Sequence, residues 1–106
     1  MARFTRSGGE ADAVAIRIAR AASGKDSVAM CGYHGWHDWY IGNTPTRSLG
    51  VPEDVANLSH PVAFNDLEAL EQELQKRPTA AIIMEVMTTD WPDPGYLEGV
   101  RRLATE

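Results

Sequence analysis

Cysteine, long apolar runs and clustered basic residues are what this sequence has least of. Its one cysteine, Cys31, has no partner for a disulfide within the 106 residues, which is compatible with a reducing compartment. No window approaches the roughly 18 consecutive apolar residues of a membrane span. Met1 to Glu10 lacks the apolar centre of a secretory signal, so a cytoplasmic protein with no membrane partner is expected. Ten Lys and Arg against fifteen Asp and Glu leave a net charge of −5, with no basic run or stripe. That balance argues against a grip on nucleic-acid phosphates and makes small molecules or proteins the expected partners.

With 43% hydrophobic and 24% charged residues, the composition is that of an ordinary globular protein, and the length allows one small domain with a thin stability margin. The first glycine-rich turn comes within a few residues of Met1, and a helical pattern is still running at Thr105 and Glu106. A piece of a longer fold is therefore expected.

Ser7, Gly8, Gly9, Glu10 and Ala11 open an alanine-rich amphipathic stretch. Ser7 is a plausible N-cap for a helix from Gly9 to Ala22, with Ala11, Val14, Ala15, Ile18 and Ala22 forming an apolar stripe and Gly24 as the stop. A glycine turn at a helix start leaves backbone N–H groups unpaired at the positive end of the helix dipole, the usual physical basis for seating a phosphate. A tight strand-to-helix connection without any ligand explains the same residues.

Arg3 to Thr5 reads as a short strand and Ser27 to Cys31 as a buried one. From Tyr33 to Asn57 the sequence is irregular and punctuated by Gly and Pro. Pro61 to Phe64 reads as extended, and Asn65 with Glu68 as a capping box for a helix through Lys76 that buries Leu67, Leu70 and Leu74. Ala80 to Val86 reads as a central strand covered on both faces, with Glu85 near its end, where α/β proteins bind ligands. Leu97, Val100, Leu103 and Ala104 mark a final helix. Helices alternating with apolar strands imply an α/β fold, a partial three-layer αβα sandwich on a mostly parallel sheet.

Tyr33, His34, Trp36, His37, Asp38, Trp39 and Tyr40 crowd aromatic and ionisable side chains into one turn. Tyr33 or a tryptophan could stack on a planar ring, or the aromatics could plug the loop onto the domain surface. Cys31, His34, His37 and Asp38 are competent zinc ligands, but Cys31 belongs to an apolar strand and no second Cys/His pair has ligand spacing. Metal is therefore not expected, and His34 is assigned a hydrogen bond. Glu85 needs a partner wherever it is buried, either a salt bridge or a ligand-side role.

Taken in order, the segments Arg3 to Ala11, Ile16 to Asp26, Gly32 to Trp39, Asn65 to Leu70, Ala80 to Met87 and Pro94 to Leu103 resemble the class III aminotransferases. The resemblance is to the glutamate-1-semialdehyde aminomutase-like branch of these fold type I pyridoxal-phosphate (PLP) enzymes. It implies that residues 1–106 are part of the large, PLP-binding domain. It implies that Ser7, Gly8 and Gly9 hold the cofactor phosphate, that Tyr33 stacks on its ring, and that His34 and Glu85 act beside it. Gly9 stands where the family usually has serine or threonine, and Val86 where it has the proline of a glutamate-proline pair. The family's covalent lysine and its pyridine-nitrogen carboxylate would lie beyond Glu106, because Lys25 and Lys76 match no such motif.

The resemblance further implies transfer of an amino group between a small-molecule amino donor and a carbonyl acceptor, and a homodimeric parent enzyme. The isolated chain is expected to be inactive. A noncatalytic module for a phosphorylated ligand is the alternative.

Overall fold

The computed structural model describes all residues, Met1–Glu106. Its elements are α1 (Gly8–Ser23), β1 (Ser27–Cys31), α2 (Asp38–Ile41), α3 (Glu53–Ala56), β2 (Ser59–Pro61), α4 (Leu67–Lys76), β3 (Thr79–Met84) and α5 (Tyr96–Thr105). The sheet is parallel throughout in the order β2-β1-β3, so β1 is its centre. Val28 pairs with Ser59 on one side and Ala81 on the other.

Alternation along β1 builds two cores. Val28 and Met30 face Ile16 of α1 and Trp39 of α2, while Ala29 faces Leu70 of α4 together with Tyr96 and Val100 of α5. The expected α/β/α layering follows, with α1 and α2 on one face and α4 and α5 on the other. Full burial of a side chain such as Val28, which has 0% exposure, contributes about 1.5–3 kcal/mol.

Helix ends are set by local chemistry. Ser7 caps α1, its hydroxyl accepting from the Glu10 amide at 3.2 Å. Gly24 ends α1 in the left-handed region at φ +66, its amide donating to the Arg20 carbonyl at 2.9 Å.

Several sequence expectations are corrected. Arg3 to Thr5 is exposed and forms no strand. The strand expected from Ala80 to Val86 is β3, an edge strand of this sheet that is half-buried along its whole length. Its apolar run signalled a covered strand, but β1 alone lies beside it, and the two-sided burial belongs to β1. Asp66, not Asn65, caps α4 by accepting from the Ala69 amide at 2.8 Å. Asn65 instead takes a left-handed φ of 60 and uses its side chain on the Trp91 carbonyl and the Asp93 amide. The extended stretch expected from Pro61 is β2, three residues that end at Pro61, although the Val62 amide still donates to Met30 at 2.8 Å. The irregular stretch from Tyr33 to Asn57 contains α2 and α3.

Candidate functional site

Because α1 runs back against β1, its N-terminus returns to the end of the sheet where β1 and β3 finish. Gly35 of the aromatic turn lies against Gly9 there, so that a Cβ on Gly35 would sit 3.5 Å from the Gly9 Cα. The glycine turn and the aromatic turn, far apart in sequence, are thus in van der Waals contact.

Capping leaves a specific pair of donors free. The Glu10 amide is used by the Ser7 hydroxyl and the Ala11 amide by the Ser7 carbonyl at 3.1 Å, while the amides of Gly8 and Gly9 have no acceptor within the chain. The Glu10 carboxylate is turned away from them, taking the Arg6 amide at 2.8 Å and the Arg6 guanidinium at 3.1 Å. Two open amides at the head of a 16-residue helix are chemically suited to an anion. The imidazole of His37 fills the space beside Gly9, with Nδ1 3.0 Å from where a Cβ would be, and this nitrogen is buried without a partner. A side chain at position 9 would press on that ring, which would have to give by a few tenths of an ångström.

Gly32 turns the chain out of β1 with φ +88, and a Cβ there would meet Oε2 of Glu85 at 2.5 Å, so only glycine fits. Glu85 follows β3, and Oε2 accepts the Tyr33 amide at 3.1 Å. The carboxylate that needed a partner therefore has a backbone amide. Tyr33 itself is 62% exposed and edges onto the Tyr40 ring at 5.8 Å. Its ring borders a cavity shared with Gly35 and Trp36. Ser7, Gly8 and Gly9 do not line that cavity; Gly35, which does, is the residue in contact with Gly9.

His34 is buried and works as a brace. A carbonyl can only accept, so Nε2 carries the proton and donates to Cys31 O at 2.8 Å, while Nδ1 faces the Asp12 carboxylate of α1 at 3.5 Å. This ties the end of β1 to the first turns of α1. Burial pushes the Tyr40 phenol above its ordinary value, with the His34 backbone and Arg47 opposing. Burial also raises the Cys31 thiol, against a hydrogen bond with Tyr96, which keeps it protonated and inert. No three His, Cys, Asp or Glu side chains stand close enough together to hold a metal.

Of the residues singled out from sequence, the structure joins Tyr33 to Glu85 directly and Gly9 to the same turn through Gly35. It places His34 on the strand and helix behind them, without contact to the open amides. Asp12 and Tyr40 escaped notice as parts of one cluster, because Asp12 lies on α1, far in sequence from the aromatic turn, and Tyr40 read as one aromatic among many.

No family-level sequence model matches the chain. Over its full length it is 40% identical, across 120 aligned positions, to a glutamate-1-semialdehyde 2,1-aminomutase of Methanothrix thermoacetophila. It is 36% identical, across 114 positions, to a 3-aminobutyryl-CoA aminotransferase of Cloacimonas acidaminovorans. The chain is homologous to one segment of the aminotransferase and glutamate-1-semialdehyde aminomutase family. It spans 28% and 27% of the lengths of those two relatives.

The crystal structure of a glutamate-1-semialdehyde aminomutase from Pseudomonas aeruginosa PAO1 superposes with a TM-score of 0.78 at 30% identity, covering 95% of this chain and 25% of that one. A variant of that aminomutase is in complex with PMP. A transaminase with PLP bound shares the fold at a TM-score of 0.84, with 24% identity over 97% of this chain and 28% of its own.

Proposed function

We propose that residues 1–106 form part of the PLP-binding large domain of a class III aminotransferase or aminomutase. The observation that carries this reading is the meeting of two acceptor-less amides, Gly8 and Gly9, with the aromatic turn that exposes Tyr33. A phosphate on those amides and an aromatic ring on Tyr33 are the two demands of one compact ligand, so the residues fit PLP. The homology to aminomutases and aminotransferases supports the same assignment.

When bound, PLP supplies an aldehyde that accepts an amino group and a pyridine ring that withdraws electrons from the neighbouring carbon. The chain's own residues do the holding. Gly8 and Gly9 would donate to the phosphate with help from the dipole of α1, the Ser7 cap fixing the conformation that frees them, and Tyr33 would offer its ring to the pyridine. Glu85 holds Tyr33 by its amide, and His34 fixes the end of β1 against α1.

Covalent attachment of PLP needs a lysine amine, and neither lysine reaches this end of the sheet. Lys25 lies with Pro78 and Thr79 beside the start of β3, and Lys76 ends α4 and pairs with Glu73. The chain alone therefore binds PLP without performing transamination. The whole enzyme is proposed as a cytoplasmic homodimer that moves an amino group from a small amino donor to a carbonyl acceptor, with no nucleic-acid or membrane partner. The net charge of −5 supports the former exclusion, and no helix is long and apolar enough to cross a membrane.

Titration of the chain with PLP and with inorganic phosphate tests the reading, followed by the Gly8 and Gly9 amide signals in proton–nitrogen spectra. PLP is expected to shift both signals and to bind more tightly than phosphate, because the ring adds a stacking contact. Equal affinities would favour a noncatalytic phosphate-ligand module, and unmoved glycine signals would overturn the proposal.

A further inference from the structure

One nitrogen of His37 is hidden from water and bonded to nothing. The imidazole stacks on Trp36 at 4.7 Å between ring centres with the planes 21° apart, and its Nδ1–Cε1 edge faces α1. There Nδ1 lies 3.0 Å and Cε1 3.1 Å from the point where a Cβ on Gly9 would be. Nδ1 is buried and has no hydrogen-bond partner in the chain. A buried polar atom without a partner is unfavourable, so its retention beside two open amides calls for a cause.

The surroundings of that nitrogen supply one. The Ser7 Oγ lies 4.0 Å from the same point on Gly9, so two side-chain heteroatoms from segments far apart in sequence flank an amide that has no acceptor. Position 9 itself brings no hydroxyl. Any side chain there would meet the imidazole, which therefore occupies the space from which a residue-9 hydroxyl would donate. The nearest cation in sequence is already engaged, since the Arg6 guanidinium holds the Glu10 carboxylate at 3.1 Å and its side chain is 92% exposed.

We infer that the His37 imidazole is a third donor to the phosphate held by the Gly8 and Gly9 amides, with Nδ1 standing in for the hydroxyl that position 9 lacks. A phosphate dianion offers only acceptors, so Nδ1 carries a proton in the complex, and the contact is a charge-assisted hydrogen bond. A small rotation of the ring brings Nδ1 from its covered position to a ligand oxygen on the Gly9 amide. The stack on Trp36, a side chain 73% exposed, leaves the ring that freedom while keeping it over position 9. The inference rests on the assignment of a phosphate to the two glycine amides, but it concerns a different residue and is tested separately from the cofactor's identity.

Long-range proton–nitrogen spectra of the histidine rings, titrated with PLP, inorganic phosphate and pyridoxal, test it. PLP and phosphate are expected to shift the His37 Nδ1 signal, and pyridoxal, which has the ring without the phosphate, to leave it in place. His60, beside Glu73 of α4, is the internal control. His37→Phe keeps an aromatic ring on Trp36 and removes both nitrogens, and is expected to weaken phosphate and PLP binding about ten-fold, the loss of one charge-assisted hydrogen bond. His37→Gln, which returns an amide donor, is expected to bind more tightly than His37→Phe. Gly9→Ser in a His37→Ala background puts a hydroxyl into the vacated space and is expected to recover most of the affinity that His37→Ala alone loses, a rescue that a merely structural role of the ring does not produce.

The amide spectrum of each variant reports whether α1 and β1 are intact, and should His37→Phe unfold, His37→Gln and the exchanged pair carry the test. Unchanged phosphate affinity in a folded His37→Phe, an Nδ1 shift with pyridoxal equal to that with PLP, or no rescue by Gly9→Ser would overturn the proposal. If inorganic phosphate moves His37 and the two glycine amides together while PLP moves none of them, the cofactor reading fails and the His37 contact stands. If PLP and phosphate move the glycine amides and neither moves His37 Nδ1, the cofactor reading stands and the role of His37 is overturned.

Discussion

The Glu85 carboxylate accepts the Tyr33 amide at 3.1 Å across 52 positions of sequence, locking the residue after β3 to the turn after β1. The same oxygen occupies the space that a Cβ on Gly32 would need, 2.5 Å away. Gly32→Ala is therefore expected to be penalised twice, by the left-handed φ of +88 and by expulsion of the carboxylate. Gly24→Ala, at φ +66 with nothing within 4 Å, meets the first penalty alone. The conformational cost is about 1–2 kcal/mol, so urea midpoints should show a clearly larger loss for Gly32→Ala than for Gly24→Ala. Glu85→Ala, which strands the Tyr33 amide, should cost about 1–3 kcal/mol, and Glu85→Gln, which keeps an acceptor, less. Equal midpoints for the two glycine variants would remove the Glu85 contact from the explanation.

Gly8 and Gly9 look alike in sequence but differ in surroundings. A Cβ on Gly8 meets nothing within 4 Å, whereas one on Gly9 meets the His37 ring at 3.0 Å. Gly8→Ala is expected to stabilise α1 by up to about 1 kcal/mol, since alanine loses less backbone freedom. Gly9→Ala should show no such gain, and should recover it once His37→Ala clears the space. A double-mutant cycle by thermal melting reads the coupling. Additive effects would show that the ring does not constrain Gly9.

How much of this could be read from sequence depended on the range of the interaction. The Ser7 cap, the Gly24 stop and the apolar run of β1 were legible because each is decided within one turn or one strand. The exposed conformation of Arg3 to Thr5 was not, because a strand needs a neighbour and none pairs with it. The edge position of β3 was hidden for the same reason: an apolar run reports coverage, not strand order. Glu85 announced that it needed a partner but not which one, and a backbone amide carries no sequence signature.

Burial and the nearby Arg77 and Lys76 charges hold the His60 imidazole below its ordinary value of 6.5, despite a Glu73 oxygen 3.7 Å from Nδ1. Since the folded state takes up its proton less readily than the unfolded chain, the stability this group contributes is present above about pH 6.5 and is lost as pH falls below it toward the folded value. Urea midpoints measured from about pH 7.5 down to about pH 5.5 should therefore decline, and His60→Gln should flatten part of that decline. An identical slope in the variant would exclude His60 as a source.

Cys31 sits at the end of the central strand with its thiol raised by burial, and its hydroxyl neighbour Tyr96 is raised as well. Burial keeps the sulfur as a thiol, against the opposing Tyr96 hydrogen bond, at a pH where a free cysteine would be partly ionised, and 7% exposure blocks reagents from reaching it. Alkylation by iodoacetamide near pH 8 should then proceed only through opening of the fold, far more slowly than for the same chain in urea. Tyr96→Phe keeps the ring against Phe64 but removes the hydroxyl, so it should leave the alkylation rate within a few-fold of the parent, whereas Leu70→Ala, which hollows the core that covers this face of β1, should cost about 2–5 kcal/mol and raise the rate accordingly. Rapid alkylation of the unaltered chain under native conditions would mean that the end of β1 opens without global unfolding, and with it the turn that carries Tyr33.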